Sequence, residues 1–141
     1  MLKKSVWLVF LAGCCFLSWR FGYPYALKYF FRISGTVSVS RELLPGLPGA
    51  NSMLFIVARN ERGVPVAVKK IISPVFPAKF EMTSSNLIMP DLLTRMVYLD
   101  ALLNTHGQLG APRRGDLKGA RQDRVNFTGK GIEITLDSAQ K

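Results

Sequence analysis

Met53-Leu-Phe-Ile-Val-Ala58, Arg59-Asn-Glu-Arg-Gly63 and Val64-Pro-Val-Ala-Val-Lys-Lys-Ile-Ile72 follow one another as an apolar run of strand length, a polar pentad closed by glycine, and a second run in which Val64, Val66 and Val68 share a face. Two β-rich runs on either side of a short polar loop read as a hairpin. The first run is apolar at every position, which suits a central strand covered on both faces. Pro65 has no N–H to give to a ladder, so the second run sits at a sheet edge or begins a strand there. Lys69 and Lys70 add charge of the kind that keeps an exposed edge from pairing with another chain.

The same two-residue period continues outward from this hairpin. Upstream, Ile33, Gly35, Val37 and Val39 alternate with Ser34, Thr36, Ser38 and Ser40. Side chains along a strand point to opposite faces in turn, so this is the pattern of a half-buried strand. Downstream, Pro74 and Pro77 bracket a turn into Ala78-Lys-Phe-Glu-Met82, with Ala78, Phe80 and Met82 expected inward. Asp91-Leu-Leu-Thr94 suits one helical turn, and Met96 to Leu103 is again extended. Five glycines and prolines between Gly107 and Gly119 predict a long polar loop over residues 104–121. Val125-Asn-Phe127 and Ile132-Glu-Ile-Thr-Leu136, separated by Thr128-Gly-Lys-Gly131, predict a closing hairpin. About seven short strands without a long helix among them predict an all-β antiparallel sandwich over residues 34–137, followed by a tail at 138–141.

Residues 1–33 differ in kind. The apolar stretch Ser5 to Trp19 lies directly behind Lys3 and Lys4. A cation-flanked end is retained in the cytoplasm while the later part of the chain is moved across, so the β-domain is expected on the far side of the membrane. About 20 apolar residues are needed to cross a roughly 30 Å hydrocarbon core. Arg20 interrupts the run before that length, and the aromatic stretch Phe21 to Phe31 suits the headgroup level, where rings with one wet edge are favoured. Leu11-Ala-Gly-Cys14 also resembles the bacterial lipobox, which makes Cys14 a candidate for lipidation. Residues 1–33 are thus read as a signal anchor or a lipoprotein signal, with a stalk.

Charge and cysteine content narrow the function classes. Of the 19 basic residues five lie in residues 1–33, where there is no acid, leaving 14 basic and nine acidic residues for the rest of the chain. A surplus of that size in an exported domain points to anionic lipid headgroups, and no nucleic-acid partner is expected. Cys14 and Cys15 are the only cysteines, so the exported domain has neither a disulfide nor a thiol metal site. His106 is the single histidine, and the acids are scattered without a spacing that brings two carboxylates together. Nucleophilic and general acid–base constellations therefore have no support, and no enzyme activity, cofactor or metal is expected. Met53, Met82, Met89 and Met96 with His106 could suggest a cupredoxin-like Cu(I) carrier, since thioethers are soft ligands. Core packing is the preferred account of Met53 and Met82, because both lie on apolar strand faces.

Five segments taken in order resemble a known family: Ser34-Gly-Thr-Val-Ser-Val39, Leu54-Phe-Ile-Val-Ala-Arg59, Pro65-Val-Ala-Val68, Phe80-Glu-Met82 with Met89-Pro90, and Gly115-Asp-Leu-Lys-Gly119. Together they are similar to the C-terminal periplasmic β-domain of the cytochrome c maturation subunit that delivers apocytochrome c to the haem-ligation complex. That family opens with a Gly-x-Val strand, continues through a Leu-Phe-Val-x-Ala-Arg-like strand and Pro-Leu-Ala-Val, and has a Gly-Asp-Leu turn near its end. The resemblance covers roughly residues 33–137. It departs where the family carries a second Ala-Arg pair before the long loop, since this chain has Asp100-Ala-Leu-Leu-Asn104. The tetratricopeptide region of the full subunit has no counterpart among these residues, so gripping of substrate by a helical groove is not implied.

The resemblance implies a binding or assembly role in c-type cytochrome biogenesis, with haem-ligation proteins or apocytochrome c as partners. Arg59 is a candidate binding residue, because an Arg at the end of an apolar strand offers forked donors to a carboxylate or haem propionate. It equally suits pairing with an acid of the same domain. Asp116 is a second candidate, and as a turn former it suits bonding to nearby backbone amides. An envelope lipoprotein binding another protein by strand addition is the alternative function.

Overall fold

The computed structural model describes residues 2–47, 51–107, 109 and 113–139. A single helix, α1, runs from Leu2 to Phe30. Consecutive exposed side chains from Val6 to Leu11 show that it is apolar around its whole circumference, the property of a helix surrounded by lipid. Its segment Leu2–Tyr23, 22 residues, is long and apolar enough to cross a membrane. Arg20 interrupts the apolar run without interrupting the helix, because Arg is a good helix former whose long stem lets the charged head reach outward. Nor is there an irregular stalk. Only Phe31 separates α1 from the first strand, and Leu27 and Phe31 are both buried in the domain core.

Nine strands follow among the described residues: β1 Arg32–Val39, β2 Met53–Arg59, β3 Pro65–Ile72, β4 Ala78–Thr83, β5 Met96–Asn104, β6 Leu117–Ala120, β7 Val125–Asn126, β8 Ile132–Leu136 and β9 Ser138–Ala139. They form a β-sandwich. The smaller sheet has the order β4-β1-β8 and the larger one β3-β2-β5-β6-β9, with β7 also paired to β5. Leu54, Ile56, Leu99 and Leu103 of the larger sheet meet Ile33, Val37, Met82 and Leu136 of the smaller one in a single core. Each such side chain contributes about 1.5–3 kcal/mol through removal from water. β2 lies between β3 and β5 and is buried from Leu54 to Ala58, as its unbroken apolar run predicts.

Three expectations are corrected. The stretch 104–121 is not loop throughout, because Leu117–Ala120 forms β6 against β5. The strand is hard to recognise because of Gly119, which the fold requires: a Cβ there would lie 2.0 Å from the carbonyl oxygen of Thr135 in β8. Glycine inside a strand marks such a close approach of another backbone. The closing hairpin is also absent. β7 pairs with β5, while β8 crosses to the other sheet and pairs with β1. The turn between them is already engaged, since Arg32 N–H donates to Phe127 O at 2.9 Å and Ser34 N–H to Gly129 O at 3.0 Å. The sandwich is otherwise antiparallel as expected, with β1–β8 its one parallel ladder among the described residues. Ser138 and Ala139, in the expected tail, add β9 to the edge of β6.

The helical turn expected near Asp91 is present as a 3-10 turn at Pro90–Leu92, preceded by another at Ser84–Asn86. Both belong to a segment fastened along the first half of β3. Leu87 bridges Ala67, and Ile88 N–H donates to Val66 O at 2.8 Å. That segment covers part of an edge that would otherwise be open.

Candidate functional site

The outer face of the larger sheet is more apolar than a solvated sheet face usually is. Paired residues in an antiparallel ladder point to the same side. With Leu54 and Ile56 in the core, Phe55, Val57 and Arg59 of β2 therefore face outward. Register carries the same face to Val68 on β3, to Asp100 and Leu102 on β5, and to Lys118 on β6. Phe55 and Val57 are nevertheless buried. Ile88 from the β3-edge segment and Leu109 rise beside this face and help to enclose a cleft of about 510 Å³ with an apolar floor.

Arg59 stands at one end of the cleft. The register slips by one residue between Ala58 and Arg59, so that Arg59 lies opposite Pro65. Proline cannot complete a ladder pair, and a bulge there re-aims the neighbouring side chain. Arg59 Nε donates to Asp100 Oδ2 at 2.6 Å, and Nη1 reaches Gly63 O at 3.4 Å. The pair is open to water, with side-chain exposures of 40% for Arg59 and 25% for Asp100. Lys118, exposed on β6, adds a second cation to the lining of the cleft and is in no ion pair among the described residues. A site with an apolar floor, a solvent-open guanidinium and a separate ammonium can seat an apolar group that carries a carboxylate.

Asp116 is placed elsewhere and does different work. It is buried at the start of β6, where its Oδ2 accepts from the Arg113 N–H at 2.8 Å while its own N–H donates to Arg113 O at 3.0 Å. This is the turn-forming behaviour expected of the residue. His106 Nε2 lies 2.8 Å from the same carboxylate oxygen, with side-chain exposures of only 9% and 5% for the two residues. Asn104 Oδ1 accepts from Gly107 N–H at 3.0 Å and shapes the turn next to it. The His106–Asp116 pair therefore stitches the two ends of the 105–116 segment together. Sequence spacing does not reveal it, because the partners lie ten positions apart with no periodic pattern linking them.

Cys14 lies exposed on α1, away from the β-domain. The four methionines do not converge on His106. Met82 is fully buried between the sheets, Met89 is exposed beside Pro90, and Met96 pairs with Asn126; Met53 alone of the four approaches the segment at Gly107. Among the described residues no group of three His, Cys, Asp or Glu is placed to hold a metal ion.

The residues that sequence reasoning misses are Asp100 and the outer-face trio Val57, Val68 and Leu102. Asp100 lies 41 residues from Arg59, and only the β2–β5 register brings the two together. No match was found among curated proteins or solved structures. The family model of the cytochrome c-type biogenesis protein H Ig-like domain does match, over residues 33–137. That stretch is well over half of the chain, it coincides with the two-sheet domain, and it contains both walls of the cleft. The chain therefore belongs to the family of the cytochrome c-type biogenesis protein H Ig-like domain.

Proposed function

We propose that this chain is a non-catalytic docking module of c-type cytochrome biogenesis, tethered by α1 and presenting its β-sandwich at the periplasmic face of the membrane. Membership of the family supports the process, and the apolar helix behind Lys3 and Lys4 supports the tether and its orientation. The observation that carries the docking reading is the outer-face cleft. Its floor of Val57, Val68 and Leu102 takes apolar side chains of a partner polypeptide, and Arg59 with Lys118 takes a carboxylate beside them. The partner is an apocytochrome c or a protein of the haem-ligation complex. The role needs no turnover, and the arrangement of side chains offers contacts without a nucleophile beside a base.

Capture from detergent-solubilised membranes tests the reading. The tagged chain is expected to retain haem-ligation proteins or apocytochrome c, and its deletion to lower the level of mature c-type cytochromes. A tagged chain that retains neither, together with unchanged cytochrome levels on deletion, removes this function. Retention of the whole helix is part of the reading, since α1 continues unbroken through Leu11-Ala-Gly-Cys14. Intact mass of the membrane-extracted protein checks it: a chain that begins with a diacylated Cys14 would replace the helical anchor with a lipid one.

A further inference from the structure

We propose that the end of the β-domain bearing Met89 and Leu92 rests in the headgroup layer of the membrane that α1 crosses, so that the domain is held against the bilayer in one orientation. The inference rests on α1 being a membrane anchor. Three observations combine. First, the domain has no slack: Leu27 and Phe31 are buried in its core, and Arg32 already pairs in β1. Second, the 3-10 turn Pro90–Leu92 is clamped to the helix, because Lys28 Nζ donates to Asp91 Oδ1 at 2.6 Å. Third, Met89 and Leu92, on either side of that clamp, are 46% and 45% exposed.

Height above the hydrocarbon decides what these two side chains meet. The apolar span ends at Tyr23. Lys28 is five residues further along the helix, which at 1.5 Å per residue is about 7.5 Å. The headgroup region on each side of a bilayer is roughly 5–8 Å deep, half the difference between its total and hydrocarbon thickness. The Lys28–Asp91 clamp therefore lies at the level of the headgroups. Tyr25, Tyr29 and Phe30 are exposed on the same stretch of helix, which suits that level.

Charge at this end fits an anionic lipid surface. Asp91 is neutralised by Lys28, and Glu61 by Arg124. Arg62 and Arg95 are exposed and in no ion pair among the described residues. Asn60 Nδ2 donates to Leu92 O at 3.0 Å, which holds the loop carrying Arg62 beside Leu92. Polybasic groups within a Debye length of such a surface are attracted to it.

Nitroxide depth measurements on the full chain test this. With Cys14 and Cys15 replaced by Ser, single labels are placed through Met89→Cys, Leu92→Cys, Val75→Cys and Phe10→Cys, and the protein is reconstituted in phosphatidylcholine vesicles containing phosphatidylglycerol. Val75 is exposed in the connection at the opposite end of the strands and serves as the aqueous reference. Near-UV circular dichroism confirms that each variant is folded. Labels at 89 and 92 are expected to be several-fold more accessible to oxygen, relative to a nickel chelate, than the label at 75. If they match position 75 while position 10 reports hydrocarbon, the anchor stands and the docking is overturned. If position 10 is itself aqueous, the anchor fails and the docking with it. Labels at 89 and 92 that become shielded only on addition of a protein partner assign this surface to that partner and also overturn the proposal.

Discussion

Two side-chain contacts to a carboxylate, His106–Asp116 and Arg59–Asp100, differ in almost every respect that matters. His106 and Asp116 are shut away, and the same carboxylate oxygen also accepts from a backbone amide, so the pair holds the 105–116 segment. Arg59 and Asp100 share a shorter contact in an open cleft, with side-chain exposures of 40% and 25%. A buried pair is costly to break because it leaves an uncompensated polar group behind. An exposed pair contributes little to stability and can exchange partners. Contacts to a carboxylate therefore separate into a structural one and a recruitable one according to solvent access.

The largest expected effect tests the buried contact. Asp116→Ala removes the acceptor of both His106 and the Arg113 amide, and should lower unfolding stability by about 2–4 kcal/mol in urea titration. A loss below about 1 kcal/mol would place this pair with ordinary surface contacts and break the contrast. Next, Arg59→Ala should weaken partner capture about tenfold or more, as expected for loss of a charge-assisted bond worth at least about 1.4 kcal/mol. Its stability should change by less than about 1 kcal/mol. The reverse outcome, a large stability loss with capture intact, would make Arg59 a structural residue.

Asp100→Asn sharpens the comparison from the other side. It removes the charge of the internal competitor and leaves Arg59 only a neutral acceptor, so partner affinity should rise a few-fold at most, within the roughly 0–1 kcal/mol that a solvent-open pair supplies. Unchanged affinity would mean that the partner does not use the guanidinium. The smallest effect belongs to Glu61→Gln at the exposed 3.3 Å contact with Arg124, where stability should shift by about 0.5 kcal/mol or less. It calibrates what an ion pair on this domain is worth without burial.

Much of the fold could be read from residue order. The run Met53 to Ala58, the alternation at Ile33 to Val39 and the inward set Ala78, Phe80 and Met82 all behave as their periods require. Hydrophobic alternation reports which face of a strand is dry, and that is a local property. It does not report the neighbour. Hence Val125–Asn126 and Ile132–Leu136 were recognisable as strands while their pairing with β5 and β1 was not. β6 escaped recognition for a related reason: Gly119 weakens a short strand signal, and only the position of Thr135 explains why glycine is needed there.

The cleft divides along the same line. Arg59 could be singled out because it ends an apolar strand next to a polar loop. Asp100, Leu102 and Lys118 could not, since their contribution depends on the register of three strands and on the segment that brings Ile88 alongside.

By itself the sequence determined the dry and wet faces of the strands, the apolar helix behind two lysines, and the family to which residues 33–137 belong, because composition and period act residue by residue along the chain. Tertiary structure alone decided which strands are neighbours, which acid engages Arg59, and that Leu27, Lys28 and Phe31 join α1 directly to the β-domain. Those outcomes arise from contacts between residues tens of positions apart, which form only when the two sheets close on a common core.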